Sequence, residues 1–599
     1  MVWNIFDFLP VSREDMIERG WYYYDFLLIT GDAYVDHPSF GAAIIGRVLE
    51  ACGFRVAVLA QPSFKDASEI VKMGRPRYAA LVTAGNLDSM VAHYTASKKP
   101  RSDDYYTPGK KAGKRPDRAV IVYSKLVREA FSDIPIIIGG LEASLRRFAH
   151  YDYWDNKVRQ SILLDSGASL LVYGMGEAAI TEIAKRLAAK ENIGDITDVR
   201  GTGYVVKGKS NCTYPSVTCA PFNEVTRSKH AYTKATLIQH DEHDPIRGRA
   251  VIQGSGDFNV IINPPALTAT TDELDKIYAL KFTREVHPMY DKSGGVSAID
   301  EVRFSIIHNR GCFGACNYCA LAFHQGRVVT SRSHESVIEE AKKIIEHPDF
   351  KGYIHDVGGP TANFRKPSCK RQSKYGMCTA KKCLVPPCDD LDVDHTDYLL
   401  LLRKLAELKG VKKVFVRSGI RFDYLMLDKS GEFFAQLVKK HISGQLKVAP
   451  EHCVDNVLNH MGKPGNMVYE QFVLKYKNLN IRYEKEQYLV PYLISSHPGS
   501  TISDSIQLAE YLNKHGRQPE QVQDFYPTPG TLSTCMYYTG LDPRTMKSLH
   551  VSRSAKEKAA QRALLQWKKP KNREIVRRVL IETGREDLIG YKKHCLIRP

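Results

Sequence analysis

The chain has 599 residues, of which 43% are hydrophobic and 25% charged, and its formal net charge is +18. This length suits three or four domains with sizeable cores, and the composition excludes a disordered or fibrous protein. No basic segment followed by an apolar one opens the chain, and no run of about 18 apolar residues occurs, so we expect neither a secretory signal nor a membrane-spanning helix.

Residues 1–200 alternate apolar runs typical of buried strands with helical stretches. This alternation predicts a doubly wound α/β domain whose ligand loops follow the carboxyl ends of its strands. Two of these strand ends carry glycines, at 139–140 and 174–176. The strands are predicted at 25–32, 55–60, 79–85, 136–140 and 169–174, with a first helix at 40–50.

The domain at 1–200 resembles the cobalamin-binding domains that precede many catalytic domains. In those domains the histidine ligand of cobalt lies in a D-x-H-x-x-G motif. Asp36 and His37 are adjacent here, so the two side chains diverge in an extended chain and the aspartate cannot orient the imidazole. We therefore expect for His37 either a local hydrogen bond or a contact on the substrate side, and no ligation of cobalt, while cobalamin without a protein ligand remains open.

The pattern weakens after residue 200. We expect an irregular connector at 201–297 with one helix at 271–281, and no chemistry is assigned to it.

A loop rich in glycine and cysteine follows a strand predicted at 302–307. It holds Cys312, Cys316 and Cys319 at C-x3-C-x2-C spacing, with Tyr318 before the third cysteine. Three thiolates on one tight loop can hold three irons of a [4Fe–4S] cluster and leave the fourth iron open. A partial zinc site fits less well because zinc usually takes four ligands. The loop therefore predicts a catalytic cluster.

The loop and its aromatic residue resemble the signature of the radical S-adenosylmethionine (SAM) superfamily. In that superfamily the open iron binds SAM, and the reduced cluster cleaves SAM to methionine and a 5′-deoxyadenosyl radical. The resemblance implies that Tyr318 packs on the adenine of SAM. It also implies that Gly358 and Gly359 admit SAM close to the backbone, although Pro360 replaces the usual acidic residue. An electron donor such as flavodoxin or ferredoxin is the implied partner.

Six strand–helix units follow one another between 298 and 544. They predict the partial (β/α)6 TIM-like barrel of radical SAM enzymes, with the active site at the carboxyl ends of the strands. Arg417 ends the third strand and is predicted to bind SAM or substrate; the strand ends at 448–452 and 496–501 are predicted to share this mouth. The strands are predicted at 302–307, 352–357, 412–416, 446–449, 487–494 and 521–525, and the helices at 336–346, 397–409, 421–441, 455–461, 469–478 and 501–515.

A cysteine-rich insert at 360–395 interrupts the second unit. Its spacing, C-x8-C-x4-C-x4-C, predicts a second metal site, either an auxiliary iron–sulfur cluster or structural zinc. Free reactive thiols on a basic loop are the alternative. Thirteen cysteines that cluster in this way favour metal ligation in a reducing compartment, and hence a cytoplasmic protein. The four candidate ligands are Cys369, Cys378, Cys383 and Cys388.

The C-terminal residues 545–599 are predicted to form a basic helical appendage. Between Arg553 and Arg598 there are 14 Lys and Arg against 5 Asp and Glu, and a second basic stretch lies at 98–118. Such patches bind phosphate backbones in some proteins, and in others they are solvated faces. Nucleic acid therefore stays open as a partner.

Nearly the whole chain resembles the YgiQ family of uncharacterised radical SAM proteins. The residues that carry the resemblance are 139–154, the cysteine loop, 356–363 and 447–452. It implies a radical SAM enzyme and leaves the substrate open. One alternative is an RNA-modifying enzyme similar to the methylthiotransferases, although no separate RNA-binding barrel follows the catalytic domain. The other is a non-catalytic metal-binding protein that associates with nucleic acid.

Overall fold

The computed structural model of this protein describes residues 4–208, 212–379, 382–516, 519 and 522–599. The predicted ranges 1–200, 201–297, 360–395 and 521–525 therefore each include a few positions outside the described residues. The strands are β1 (Phe26–Thr30), β2 (Val35–Asp36), β3 (Val56–Ala60), β4 (Ala79–Thr83), β5 (Ile136–Gly139), β6 (His150–Asp152), β7 (Lys157–Arg159), β8 (Leu170–Val172), β9 (Thr202–Lys207), β10 (Ser216–Cys219), β11 (Ala250–Ser255), β12 (Phe258–Ile262), β13 (Glu285–Val286), β14 (Ser305–Ile307), β15 (Asn309–Arg310), β16 (Thr330–Ser331), β17 (Tyr353–Ile354), β18 (Asp356–Gly358), β19 (Lys413–Val414), β20 (Gln445–Glu451), β21 (Tyr488–Ser495) and β22 (Gln523–Asp524).

The α-helices of the same residues include those predicted from sequence, except that the one at 421–441 is divided, and several short ones. They are α1 (Arg13–Glu18), α2 (Gly41–Ala51), α3 (Ser68–Met73), α4 (Ser89–His93), α5 (Ala119–Ala130), α6 (Gly140–Leu145), α7 (Ile162–Ser166), α8 (Glu177–Ala188), α9 (Phe222–Arg227), α10 (Lys229–Asp241), α11 (Thr271–Tyr278), α12 (Ala298–Val302), α13 (Leu321–Gln325), α14 (His334–Ile345), α15 (Lys370–Tyr375), α16 (Thr396–Ala406), α17 (Phe422–Leu427), α18 (Glu432–Gln436), α19 (Asp455–Met461), α20 (Asn466–Arg482), α21 (Ile502–Lys514), α22 (Leu532–Thr539), α23 (Ala555–Leu565) and α24 (Arg573–Glu582).

A large mixed sheet organises the N-terminal half. Its strand order is β10-β11-β12-β9-β8-β5-β4-β1-β3, and β3, β1, β4, β5 and β8 run parallel. Both faces are buried: Leu27 and Ile29 of β1 pack in one hydrophobic cluster, and Phe26 and Leu28 pack in the other. Side chains alternate between the two faces of a strand, so an uninterrupted apolar run is what a strand covered on both sides requires.

The prediction of an irregular connector at 201–297 is wrong. Strands β9 to β12 lie in this range and extend the main sheet through antiparallel pairing of β9 with β8. Their sequences mix polar and apolar residues, for example Gln253 in β11 and Asn259 in β12. These strands are added to one edge of the parallel sheet, which supplies hydrogen-bond partners. Their own sequences therefore need not form a strongly apolar run. The helix predicted here is α11.

The second half contains short strands that pair in parallel: β14 with β18, β17 with β19, β20 with β21, and β21 with β22. The strand predicted at 302–307 begins only at Ser305, because Val302 ends α12. The helix predicted at 421–441 is divided into α17 and α18. Gly431, with a φ of 61°, lies at the start of α18, in a conformation that glycine adopts at little cost.

The C-terminal helices α23 and α24 are part of a hydrophobic core. Leu564, Trp567 and Leu580 pack with Leu508 of α21 and Leu493 of β21. Residues 545–599 contain the helices α23 and α24 and are packed against the last strand–helix units. Among the helices of the described residues, none combines the length and the apolarity that crossing a lipid bilayer requires.

Candidate functional site

The carboxyl ends of strands from both halves face one cavity of about 570 Å³. This volume lies within the range of about 300–1,000 Å³ that is common for small-molecule sites. The glycines predicted at strand ends line it on the side of the main sheet, and Gly358 and Gly359 line it on the other side. Arg310 and Glu177, one from each half, form an ion pair at its wall with an N···O distance of 2.6 Å. The glycines of the sheet side are Gly139, Gly140, Gly174 and Gly176.

Gly358 and Gly359 lie where a side chain would not fit. A Cβ on Gly358 would collide with Oγ of Ser418, and one on Gly359 with Oδ1 of Asn309. Nδ2 of Asn309 donates to the carbonyl of Phe364 at 2.6 Å, whereas its buried Oδ1 has no hydrogen-bond partner among the described residues. Asn309 lines the cavity, and its Oδ1 is packed against Gly359. It was not predicted, because one asparagine after a short strand has no distinctive pattern.

The cysteine loop is held at its beginning and its middle by contacts with the backbone of neighbouring segments. Gly311 has a φ of 82°, and a Cβ on it would collide with the carbonyl of Val328, so glycine is required there. The N–H of Cys312 donates to the carbonyl of Gly326 at 3.1 Å. Nδ2 of Asn317 donates to the carbonyl of His460 at 2.8 Å. The loop therefore has one defined path between two neighbouring segments.

The three thiols of the loop are close enough to influence one another. Burial, together with the neighbouring Cys316 and Cys312, raises the pKa of the Cys319 thiol to about 12. Among the described residues, no three His, Cys, Asp or Glu side chains converge on a single point as the ligands of one metal ion do. The donor set itself, three thiols on one loop, is the set that a cluster with an open iron uses.

Arg421 is the arginine that contacts the cysteine loop. Its Nη1 donates to Sγ of Cys316 at 3.0 Å, and its Nε and Nη2 each donate to Asp423 at 2.7 Å. Burial opposes ionisation of Cys316, yet the positive charges of Arg421 and Lys463 outweigh it and hold the pKa of the thiol below its ordinary value. The predicted arginine, Arg417, has a side chain 44% exposed that lies 4.0 Å from Glu301.

Removing Arg421 should destabilise the fold strongly. Arg421→Met leaves the buried carboxylate of Asp423 without its main partner, and breaking a buried ion pair in this way costs about 3–5 kcal/mol. Chemical denaturation followed by circular dichroism measures the loss. Arg417→Met is the matched control and should change the unfolding free energy by no more than about 0.5 kcal/mol. If the two variants were equally stable, the assignment of Arg421 as the main partner of the buried Asp423 carboxylate would be contradicted.

Tyr318 and the two predicted strand ends meet beside the cysteine loop. The hydroxyl of Tyr318 donates to Oε1 of Glu451 at 2.6 Å, and its ring centroid lies 6.1 Å from that of His497. Glu451 is 3.7 Å from Nζ of Lys463. The ring of Tyr318 is thus oriented by both strand ends, at 448–452 and 496–501.

His37 makes the local hydrogen bond that the sequence suggested. Its Nδ1 accepts from the N–H of Ser39 at 3.1 Å, and its ring packs edge-on against Phe40. Pro38 and Ser39 line the large cavity, whereas His37 is not part of its wall.

The second cysteine group lies around one cavity, although its four thiols, all among the described residues, do not converge on a single point. Its members line one small cavity, next to Ser368 and Arg371. Of the basic residues interleaved with them, Lys381 lies outside the described residues. The four cysteines are Cys369, Cys378, Cys383 and Cys388.

The chain is similar to several known proteins. A family model described as radical SAM N-terminal matches residues 8–305, and one described as a domain of unknown function (DUF3362) matches residues 520–599. Among solved structures, the radical SAM methyltransferase TsrM from Kitasatospora setae, with cobalamin and a [4Fe–4S] cluster bound, is similar with a TM-score of 0.47. The identity is 12%, covering 94% of this chain and 100% of that chain. A similarity of this level says nothing about the ligands of this protein.

Close relatives cover nearly the full chain. A UPF0313 protein of Clostridium perfringens is 55% identical over 592 residues, which are 99% of this chain and 89% of the relative. A UPF0313 protein of Clostridium botulinum is also 55% identical over 592 residues, covering 99% of this chain and 92% of its own length. This chain belongs to the UPF0313 family, which is the YgiQ family of radical SAM proteins.

Proposed function

We propose that this protein is a radical SAM enzyme in which Cys312, Cys316 and Cys319 hold a [4Fe–4S] cluster. The observation that carries the proposal is the cysteine loop itself, which supplies three thiols beside the buried Arg421. When bound, the cluster supplies the electron that cleaves SAM to methionine and a 5′-deoxyadenosyl radical. The thiolates and the cluster are anionic, so Arg421 compensates their charge where water is largely excluded.

The SAM site that we propose lies on the side of the large cavity nearest to β18. Gly358 and Gly359 line the cavity and leave the backbone open to close approach. Tyr318 and Arg417 remain predicted SAM contacts. Of these two, Tyr318 is adjacent to a proposed cluster ligand, and the side chain of Arg417 is 44% exposed.

The substrate site that we propose is the part of the cavity next to the main sheet. Leu141, Met175 and Ile45 make this wall apolar, and Glu177 and Arg310 add one ion pair. Such a wall suits a small molecule with an apolar body and few polar groups. The proposed layout is a doubly wound domain at 1–200, with its sheet extended by strands up to residue 262, and a partial (β/α)6 barrel at 298–544.

The test is SAM cleavage by the full-length protein. After anaerobic reconstitution with iron and sulfide, addition of dithionite and SAM should release 5′-deoxyadenosine and methionine in equal amounts. Protein that takes up the cluster and leaves SAM intact would refute the enzyme and favour the non-catalytic alternative. Comparison of metabolites and of modified nucleosides in cells with and without the protein would then separate a small-molecule substrate from RNA.

A further inference from the structure

Four cysteines that are spread over residues 369–388 line a single cavity of about 30 Å³. All four are free thiols. A cavity lined by four thiols from one segment is uncommon unless the thiols share a ligand, because cytosolic cysteines that cluster in this way usually bind metal. The four are Cys369, Cys378, Cys383 and Cys388.

Hydrogen bonds close this segment into a compact loop. The N–H of Asp392 donates to the carbonyl of Ser368 at 2.8 Å, and the N–H of Cys388 donates to the carbonyl of Cys383 at 2.9 Å. The buried side chain of Gln372, in α15, accepts from the N–H of Ser368 at 2.8 Å. These bonds hold the backbone on both sides of the cavity, and they fix the positions from which the neighbouring cysteine side chains extend.

A buried arginine lies between the two cysteine groups. Arg327 is 7% exposed, and its Nη2 has no hydrogen-bond partner among the described residues. It interacts electrostatically with Asp244 and with Cys383, and it lines a small cavity with Cys316 and Cys319. A buried cation with an unpaired donor is costly unless negative charge lies nearby. Asp244 and Asp241 supply part of that charge, and thiolates bound to a metal would add to it.

One apolar cluster separates the two cysteine groups. Phe313 of the first cysteine loop stacks on Phe364 with ring centroids 3.7 Å apart. Cys312 packs against this cluster, and so does Cys383. The second group therefore supports the surface against which the first loop is packed.

We propose that Cys369, Cys378, Cys383 and Cys388 bind a second metal centre through four thiolates, separate from the centre of the Cys312 loop. A set of four sulfur donors selects zinc or an iron–sulfur cluster. Metal binding draws the thiols to ligating distance, and its free energy then stabilises this segment. The proposal does not depend on SAM cleavage, so it can fail or hold independently of the proposed reaction.

Metal analysis of variants tests the site. The triple variant Cys312→Ala, Cys316→Ala and Cys319→Ala should keep either about one zinc per chain or iron with matching sulfide, and visible absorption distinguishes the two. Adding Cys378→Ala and Cys383→Ala should remove this metal. Adding Cys52→Ala and Cys595→Ala to the triple variant is the matched control and should leave it in place. A folded triple variant without zinc or iron would overturn the proposal.

Alkylation of the unaltered protein tests the same site without any substitution. The exposed thiols Cys52 and Cys378 should react equally fast with N-ethylmaleimide if both are free. If the site holds metal, Cys378 should be protected until a chelator is added, whereas Cys52 is modified at once. Mass spectrometry of peptides reads both positions in one sample. Immediate modification of Cys378 in metal-replete protein would overturn the proposal.

Discussion

Cys316→Ala should abolish the release of 5′-deoxyadenosine from SAM and lower the iron content by about one cluster per chain. Cys316 is the central thiol of the loop and the one whose Sγ accepts a hydrogen bond from Arg421. Two thiols cannot replace the three that a cluster with one open iron requires. The measurement is anaerobic reconstitution, followed by iron and sulfide analysis and by chromatography of the products.

Cys52→Ala is the matched control for this change. Cys52 is an exposed thiol at the end of α2, so its loss should leave both the iron content and the cleavage of SAM at the level of the unaltered protein. Circular dichroism should show that Cys316→Ala is folded. Cleavage of SAM by a folded Cys316→Ala protein would disprove the ligand assignment and with it the proposed function.

Gly359→Ala should weaken SAM binding about tenfold or more and leave the cluster in place. The new methyl group would collide with Oδ1 of Asn309 and press on its backbone carbonyl. We expect the methyl group and the displaced Asn309 side chain to narrow the proposed SAM site, where each 1.4 kcal/mol of lost binding energy is about a factor of ten in affinity. The dissociation constant of SAM, measured by anaerobic calorimetry on reconstituted protein, gives the effect.

Gly419→Ala is the control in the same half of the chain. A Cβ on Gly419 would meet no atom within 4 Å, so this variant should bind SAM as the unaltered protein does. Visible absorption should show the same cluster content in both variants. If Gly359→Ala and Gly419→Ala bind SAM equally well, the SAM site does not lie beside Gly359.

Local patterns alone predicted much of the scaffold. The apolar runs of the parallel strands gave positions close to β1, β3, β4, β5 and β8, because a strand covered on both faces must be apolar throughout. Helix α19 has the bounds predicted for it, 455–461. The cysteine loop was equally evident, since the spacing of its thiols is a property of a short stretch of chain.

The remaining features depended on residues that are distant in sequence. Arg421 lies 105 residues from the thiol that it contacts, and Arg417, four residues away, has the same local character. Asn309 is significant only because the turn after β18 packs against it. Strands β9 to β12 take their hydrogen bonds from an existing sheet edge, which weakens the demand on their own sequence. The sequence by itself therefore determined which residues form the parallel core and carry the thiols. The tertiary structure decided that Arg421 lies beside the thiols, that Asn309 packs against the turn after β18, and that β9 to β12 extend the sheet. Those contacts form only when distant segments pack together.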